Sequence, residues 1–365
     1  MKHFIVGPVE MYESTKNIYK KEHPYFRTCE YGEFVKKNLS RLQSILGNGE
    51  GNSTIYLTMS GTGAMEAVVE NCITKSDKSL VINGGTFGKR FCDLLAHHNM
   101  NYEEIKLNWD EQLTQKHLEK YDNKDFTTLF VNLHETSTGQ LYDINLISDF
   151  CKRNNMFLII DAISTFLADK YNMKEFGADV TIISSQKGLC LSPGLSFVSF
   201  SDRMLEKIEN IESNTLYFNF KDYFNNIARG QTPYTPAVFI MYEMEAMLDL
   251  IDKKGGVDIW ISDVADKACY FRQKAKSIGL TIPATYGLSN TMTPVICNDI
   301  SASDIVSHLR DNYKIYVNPC GGVRAEKMFR VSHIGNITKE DIDELINKIS
   351  LTIEELKKGD SNDRK

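Results

Sequence analysis

The sequence predicts an α/β protein, with a mostly parallel sheet covered by helices in a large domain and a smaller C-terminal α+β domain. Three observations carry this prediction. Short apolar runs at 80–83, 128–132, 157–161 and 180–183 are each bounded by turn or polar residues, as strands buried on both faces are. Helical patterns at 86–98, 112–121 and 143–154 fall between those runs, and alternation of strand with helix is the mark of a parallel sheet. The length of 365 residues is more than one core usually fills, and suits a large unit plus a small one.

After residue 237 the pattern changes. Segments 237–251 and 259–278 read as long amphipathic helices that link two lobes. A strand near 293–297, a helix near 302–311 and a helix from 338 then make up the small domain. The expected division is an N-terminal segment 1–16, a large domain 17–255, a small domain 256–357 and a polar, frayed tail 358–365.

Composition excludes several functions. Apolar residues at 42% and charged residues at 25% are ordinary for a globular chain. The net charge of −6, with no basic stripe, argues against a nucleic-acid partner. No apolar run approaches the roughly 18 residues of a membrane span, and the start is too soon broken to read as a signal peptide. The eight cysteines are scattered, with no C-x-x-C and no histidine cluster beside them. That pattern argues against a metal site and a disulfide framework, and fits a reducing cytoplasm.

The chemistry-bearing candidates follow strand ends. Lys187, in Ser184-Ser185-Gln186-Lys187, stands at the mouth of an apolar strand, where an amine is costly unless neutralised or used. One use is an imine with the aldehyde of pyridoxal phosphate (PLP); the ordinary alternative is a surface lysine. Asp161, heading Asp161-Ala162-Ile163-Ser164, is a partly buried carboxylate that needs a cation or donors, and a helix N-cap would also explain it. Ser60-Gly61-Thr62-Gly63-Ala64 opens a helix, where bare N–H groups suit an anion, although a plain capped turn looks the same. Phe87, between glycines at the next helix start, is placed to stack on a flat ring or to anchor the core. Thr136, in Glu135-Thr136-Ser137-Thr138-Gly139, offers a hydroxyl after a further strand.

In combination and in this order, these motifs resemble the class V aminotransferases of PLP fold type I. The resemblance spans about residues 4–355 and also rests on Gln231-Thr232-Pro233-Tyr234-Thr235-Pro236 and Phe329-Arg330-Val331-Ser332. It implies a PLP enzyme in which Lys187 carries the cofactor and shuttles the proton. Asp161 then pairs with the pyridine nitrogen, Phe87 stacks on the ring, and Ile163 belongs to the same cofactor site. Thr62, Gly63 and Ala64 hold the phosphate with Gln186 beside it, and Thr136 approaches the phenolic side. The family's counterpart of Thr235 reaches the neighbouring subunit's phosphate, so a homodimer is implied. Arg330 binds a substrate carboxylate, with Pro8 in the N-terminal segment and Arg27 as further substrate-side candidates.

The expected partners are a small amino donor and a 2-oxo acid acceptor, pyruvate or glyoxylate. The N-terminal Val6-Gly7-Pro8-Val9 departs from the usual P-G-P-T-like run and is similar to a bacterial subgroup acting on 2-aminoethylphosphonate. Transamination of that donor with pyruvate is the leading expectation, and alanine or serine with glyoxylate or pyruvate is the alternative. A phosphonate needs a second cation, for which Arg27 and Arg229 are the candidates. A cysteine desulfurase-like lyase using Cys320, and a non-catalytic binding module, are the remaining readings.

Overall fold

The computed structural model describes residues 1–22, 24–49 and 53–362, with side chains through 358. Its large sheet has seven strands in the order Thr54–Leu57, Ser196–Phe200, Val180–Ser184, Phe157–Asp161, Thr128–Asn132, Lys78–Asn83 and Asn101–Lys106. Ser196–Phe200 runs antiparallel to both neighbours, and the other pairings in the sheet are parallel. The central strands are buried along their length because helices cover both faces, which explains their unbroken apolar runs.

Local chemistry starts the covering helices where the sequence suggests. Ser60 accepts from Gly63 N–H at 3.4 Å to cap Gly61–Cys72, and Asp143 accepts from Asn145 N–H at 3.0 Å to cap Ile144–Arg153. The expected helix at 112–121 shrinks to Gln115–Glu119, opened by a Thr114–His117 capping box. The ring of Phe130, mid-strand and fully buried, lies 5.1 Å from that of Phe91 on the helix Thr86–His97. Phe130→Ala leaves a hole at the centre of this core and is expected to cost about 3–5 kcal/mol. A chemical-denaturation midpoint within error of the wild type would contradict that placement.

A second sheet orders Lys2–Phe4, Ile315–Pro319, Met328–Ser332 and Met292–Ile296. The first three residues of that sheet come from the N-terminus, paired parallel with Ile315–Val317, so the segment 1–16 begins inside the small lobe. Phe4 joins the small core, whereas Val9 and Tyr12 join the large one. Of the two helices expected to link the lobes, only one does so. Val238–Lys253 buries its apolar face in the large core, while Val257–Ser277 places Trp260 and Val264 there and Phe271 and Ala275 in the small core. Gly255 and Gly256, both with positive φ, make the turn between these helices. The expected frayed tail is helical through Asn362, within Lys339–Asn362, and residues 363–365 lie outside the described residues.

Candidate active site

Because five large-sheet strands run parallel to one another, with Thr54–Leu57 oriented alike, their carboxyl ends open on one side. The segments following them converge on a cavity of about 110 Å³. Its lining includes Thr62 and Gly61 from one helix start, Phe87 and Arg90 from another, and Thr136, Asp161, Ile163, Gln186 and Lys187. Of the sequence candidates, Thr62, Phe87, Thr136, Asp161, Ile163, Gln186 and Lys187 meet there, and six others do not line the cavity. Gly63 and Ala64 follow Thr62 on the helix, Thr235 and Pro8 are exposed, Arg330 comes in from the small sheet, and Arg27 is held elsewhere.

Lys187 sits in the connection between Val180–Ser184 and the antiparallel Ser196–Phe200. Its Nζ makes no hydrogen bond or ion pair with a described residue, and burial lowers its pKa from 10.5 to about 8. The carboxylate of Asp161 opposes that shift, while the charges of Arg330 and Arg90 add to it. Asp161 accepts from Ile163 N–H at 2.8 Å, yet burial still raises its carboxyl to about 6. A buried acid pushed up beside a buried amine pushed down, with no ion pair joining them among the described residues, marks a functional cleft.

The helix start at Gly61 is pressed close to Ile163. A Cβ at position 61 would lie 2.5 Å from Ile163 Cδ1, so a side chain there would push the tip of Ile163 aside. Ser184 Oγ donates to Gln186 Oε1 at 2.7 Å and turns that amide toward the cavity wall. Thr136 Oγ1 donates to Ser164 Oγ at 3.0 Å, placing two hydroxyls side by side.

Arg330 enters from the small sheet, on Met328–Ser332. Its Nη1 donates to Thr136 O at 2.7 Å and its Nη2 to Pro319 O at 2.5 Å, while its buried Nε has no hydrogen-bond partner among the described residues. No carboxylate neutralises it among the described residues, and a guanidinium held by two carbonyls is suited to an anion. Arg324, ending the turn Gly322–Arg324, makes no side-chain bond to a described residue, and its charge acts on Arg330, Tyr286 and Cys320.

The other substrate-side candidates lie elsewhere. Arg27 donates to Thr232 O at 2.8 Å and Pro233 O at 3.2 Å, fastening the loop that ends in Thr235. Arg229 donates to Asn226 Oδ1 at 2.6 Å. Pro8 is exposed, but its neighbour Gly7 lies against the Lys187 stem. Cys320 is buried, and burial raises its thiol, the reverse of what a nucleophilic thiolate needs.

Two side chains at the site carried no role in the sequence reading. Arg90 donates to Thr62 Oγ1 at 3.0 Å and lies 4.9 Å from the Phe87 ring centroid, so it ties the helix start to the aromatic. The signal was its spacing, three residues after Phe87 on one helix. Glu135, fully buried, accepts from Gly88 N–H at 3.0 Å and Phe87 N–H at 3.2 Å, and from Asn132 Nδ2 at 3.0 Å. The N-cap residue of this helix, Gly85, has no side chain, so Glu135 takes the N–H groups of Phe87 and Gly88 while Ser137 Oγ accepts from Thr86 N–H at 3.0 Å, and together they set the position of Phe87. No local pattern reveals this, because Glu135 lies 47 residues from Gly88 and 48 from Phe87.

The family model for aminotransferase class-V matches residues 36–345. The chain is similar to the soluble hydrogenase 42 kDa subunit of Anabaena cylindrica, 28% identical over 96% of this chain and 93% of that protein. It is also similar to the serine–glyoxylate aminotransferase of Arabidopsis thaliana, 26% identical over 92% of this chain and 86% of that protein. The crystal structure of pyridoxamine–pyruvate aminotransferase from Mesorhizobium loti shares the fold with a TM-score of 0.90. That likeness has 20% identity and covers 97% of this chain and 92% of that one. No helix among the described residues is long and apolar enough to cross a membrane.

Proposed function

This chain belongs to the class V aminotransferases, a PLP-dependent family, and we propose that it moves the amino group of a small anionic donor to pyruvate or glyoxylate. The observation that carries this reading is the pairing of Asp161 and Lys187 across one cleft, their proton affinities shifted in opposite directions. The residues present fit the cofactor. A buried carboxylate without a cation suits a ring nitrogen that must stay protonated, and an amine near neutrality suits an aldehyde.

When bound, PLP supplies an aldehyde for the amino group and a ring that draws off the electron pair left by a departing proton. Lys187 anchors it, and once released takes the proton from the carbon bearing nitrogen onto Nζ, then gives it back. Its lowered pKa leaves a usable neutral fraction near pH 8. Asp161 holds the ring nitrogen charged. Phe87 and Ile163 would confine the ring, Thr62 and Gln186 on the cavity wall would hold the phosphate with Gly63 and Ala64 behind them on the helix start, and Thr136 would meet the phenolic oxygen. Arg330 orients the substrate carboxylate through Nε and one Nη.

Thr235 belongs in this reading to the neighbouring subunit's phosphate site. Its surroundings support a homodimer: Tyr217 and Tyr234 stack at 5.0 Å beside Leu216, which is 77% exposed, an apolar face suited to a second copy.

For the donor we propose 2-aminoethylphosphonate, with pyruvate as acceptor. The form of the N-terminal segment supports it, as does Arg324, a second cation whose charge acts on Arg330, whereas Arg27 and Arg229 are bonded elsewhere. Alanine or serine is the second reading, favoured by Arg330, whose free Nε suffices for one carboxylate. A panel of 2-aminoethylphosphonate, alanine, serine and aspartate against pyruvate and glyoxylate tests both. Turnover of alanine or serine without 2-aminoethylphosphonate selects the second reading, and no turnover of any donor overturns both. Arg330→Leu is expected to raise KM for the 2-oxo acid on the order of 10²-fold. An unchanged KM would remove Arg330 from the site.

A further inference from the structure

The N-terminal segment crosses from the small core to the large one directly over Lys187. Lys2–Phe4 is a strand of the small sheet, and Val9 and Tyr12 lie in the large core. Between them, Val6 N–H donates to Asn318 Oδ1 at 2.6 Å and Val9 N–H donates to Gln186 O at 3.2 Å. These two bonds fix the chain on either side of Gly7. A Cβ at Gly7 would lie 2.9 Å from Lys187 Cδ, 3.0 Å from Lys187 Cε and 3.3 Å from Gln186 O. The strap therefore lies against the stem of the lysine, not its amine.

Resting on the cofactor reading above, we infer that Val6–Val9 is a positioning element for Lys187. Gly7 is the residue whose lack of a side chain lets the strap confine the lysine stem, and Asn318 is its anchor. A flexible four-carbon stem with no hydrogen bond at its head has many rotamers, and a wall along Cδ and Cε removes some of them. The anchor also has a second neighbour. Asn318 lies directly opposite Arg330 in the small sheet, so the residue placed to receive a carboxylate is the cross-strand partner of the one holding the strap. One hydrogen bond thus joins the strap over Lys187 to the strand pair that carries Arg330.

The test compares Gly7→Ala and Asn318→Ala with the wild type by two readouts. The first is the pH midpoint for acylation of Lys187 in cofactor-free protein, measured by peptide mass mapping. It is expected near 8 in the wild type, and to move by about half a pH unit or more in Gly7→Ala. The second is the split between kcat and KM. Misplacing a reacting group by a fraction of an ångström to an ångström is expected to lower kcat by about 10–10²-fold, with KM for the acceptor little changed. Asn318→Ala keeps the glycine and frees the strap, so it should move both readouts the same way by less; circular dichroism checks that each variant folds. Wild-type midpoints and kcat in both folded variants would overturn the inference. A wild type that forms no visible adduct with PLP would instead defeat the cofactor reading, and the acylation midpoint would still judge the strap.

Discussion

Replacing Lys187 by alanine is expected to abolish the visible absorbance of the lysine-bound cofactor and lower transamination by at least 10²–10⁴-fold. The lower figure reflects loss of the base alone, and loss of the covalent anchor adds to it. Folding should survive. The side chain makes no hydrogen bond or ion pair with a described residue, and burying its charge is a cost to the cofactor-free protein. Melting temperature and circular dichroism should therefore match the wild type or improve. A small primary amine added to the medium should restore part of the rate, because it replaces the missing base. Unaltered transamination by the variant would refute the assignment, and full loss without any amine rescue would leave Lys187 as anchor only.

Asp161→Asn is expected to separate stability from function. In cofactor-free protein the folded-state pKa of Asp161 is about 6, against 3.8 for an ordinary carboxyl. Between those values the native state holds more protons than the unfolded one, so stability falls as pH rises through 6. The loss levels off above pH 6 at on the order of 3 kcal/mol. Asparagine retains an acceptor for Ile163 N–H but carries no charge. The cofactor-free variant should accordingly be more stable than wild type at pH 8 and about equal below pH 4. With PLP the order reverses. The wild-type carboxylate gains its cation, while asparagine leaves the ring nitrogen without a charged partner, lowering both cofactor affinity and turnover. A wild-type rate, or a cofactor-free variant less stable at pH 8, would remove Asp161 from this role.

Parts of this site are legible one residue at a time because an α/β sheet delivers the residues after its strand ends to one side. Lys187, Asp161, Thr136, Phe87 and Thr62 each follow an apolar run, and a strand buried on both faces has a recognisable composition. Arg330 stands out because it is charged between apolar neighbours. By contrast, Lys2–Phe4 is too short to show a period, and nothing in it announces a partner more than 300 residues away. Arg27 shows what local sequence leaves out: its position suggested the substrate, and the structure gives its Nη1 and Nη2 the carbonyls of Thr232 and Pro233 as partners.

The sequence by itself determined the alternation of strand and helix, the family, and with it the cofactor and the class of reaction. Those follow from local patterns of apolar run, glycine turn and polar strand end, which neighbouring residues set together. Tertiary structure alone decided what stands around each group. It set Glu135 under the Phe87 helix, Arg90 between Phe87 and Thr62, Arg324 near Arg330, and Gly7 against the stem of Lys187. Proton affinity, confinement and open donors depend on burial and on charges brought together from remote parts of the chain, and no local pattern contains them.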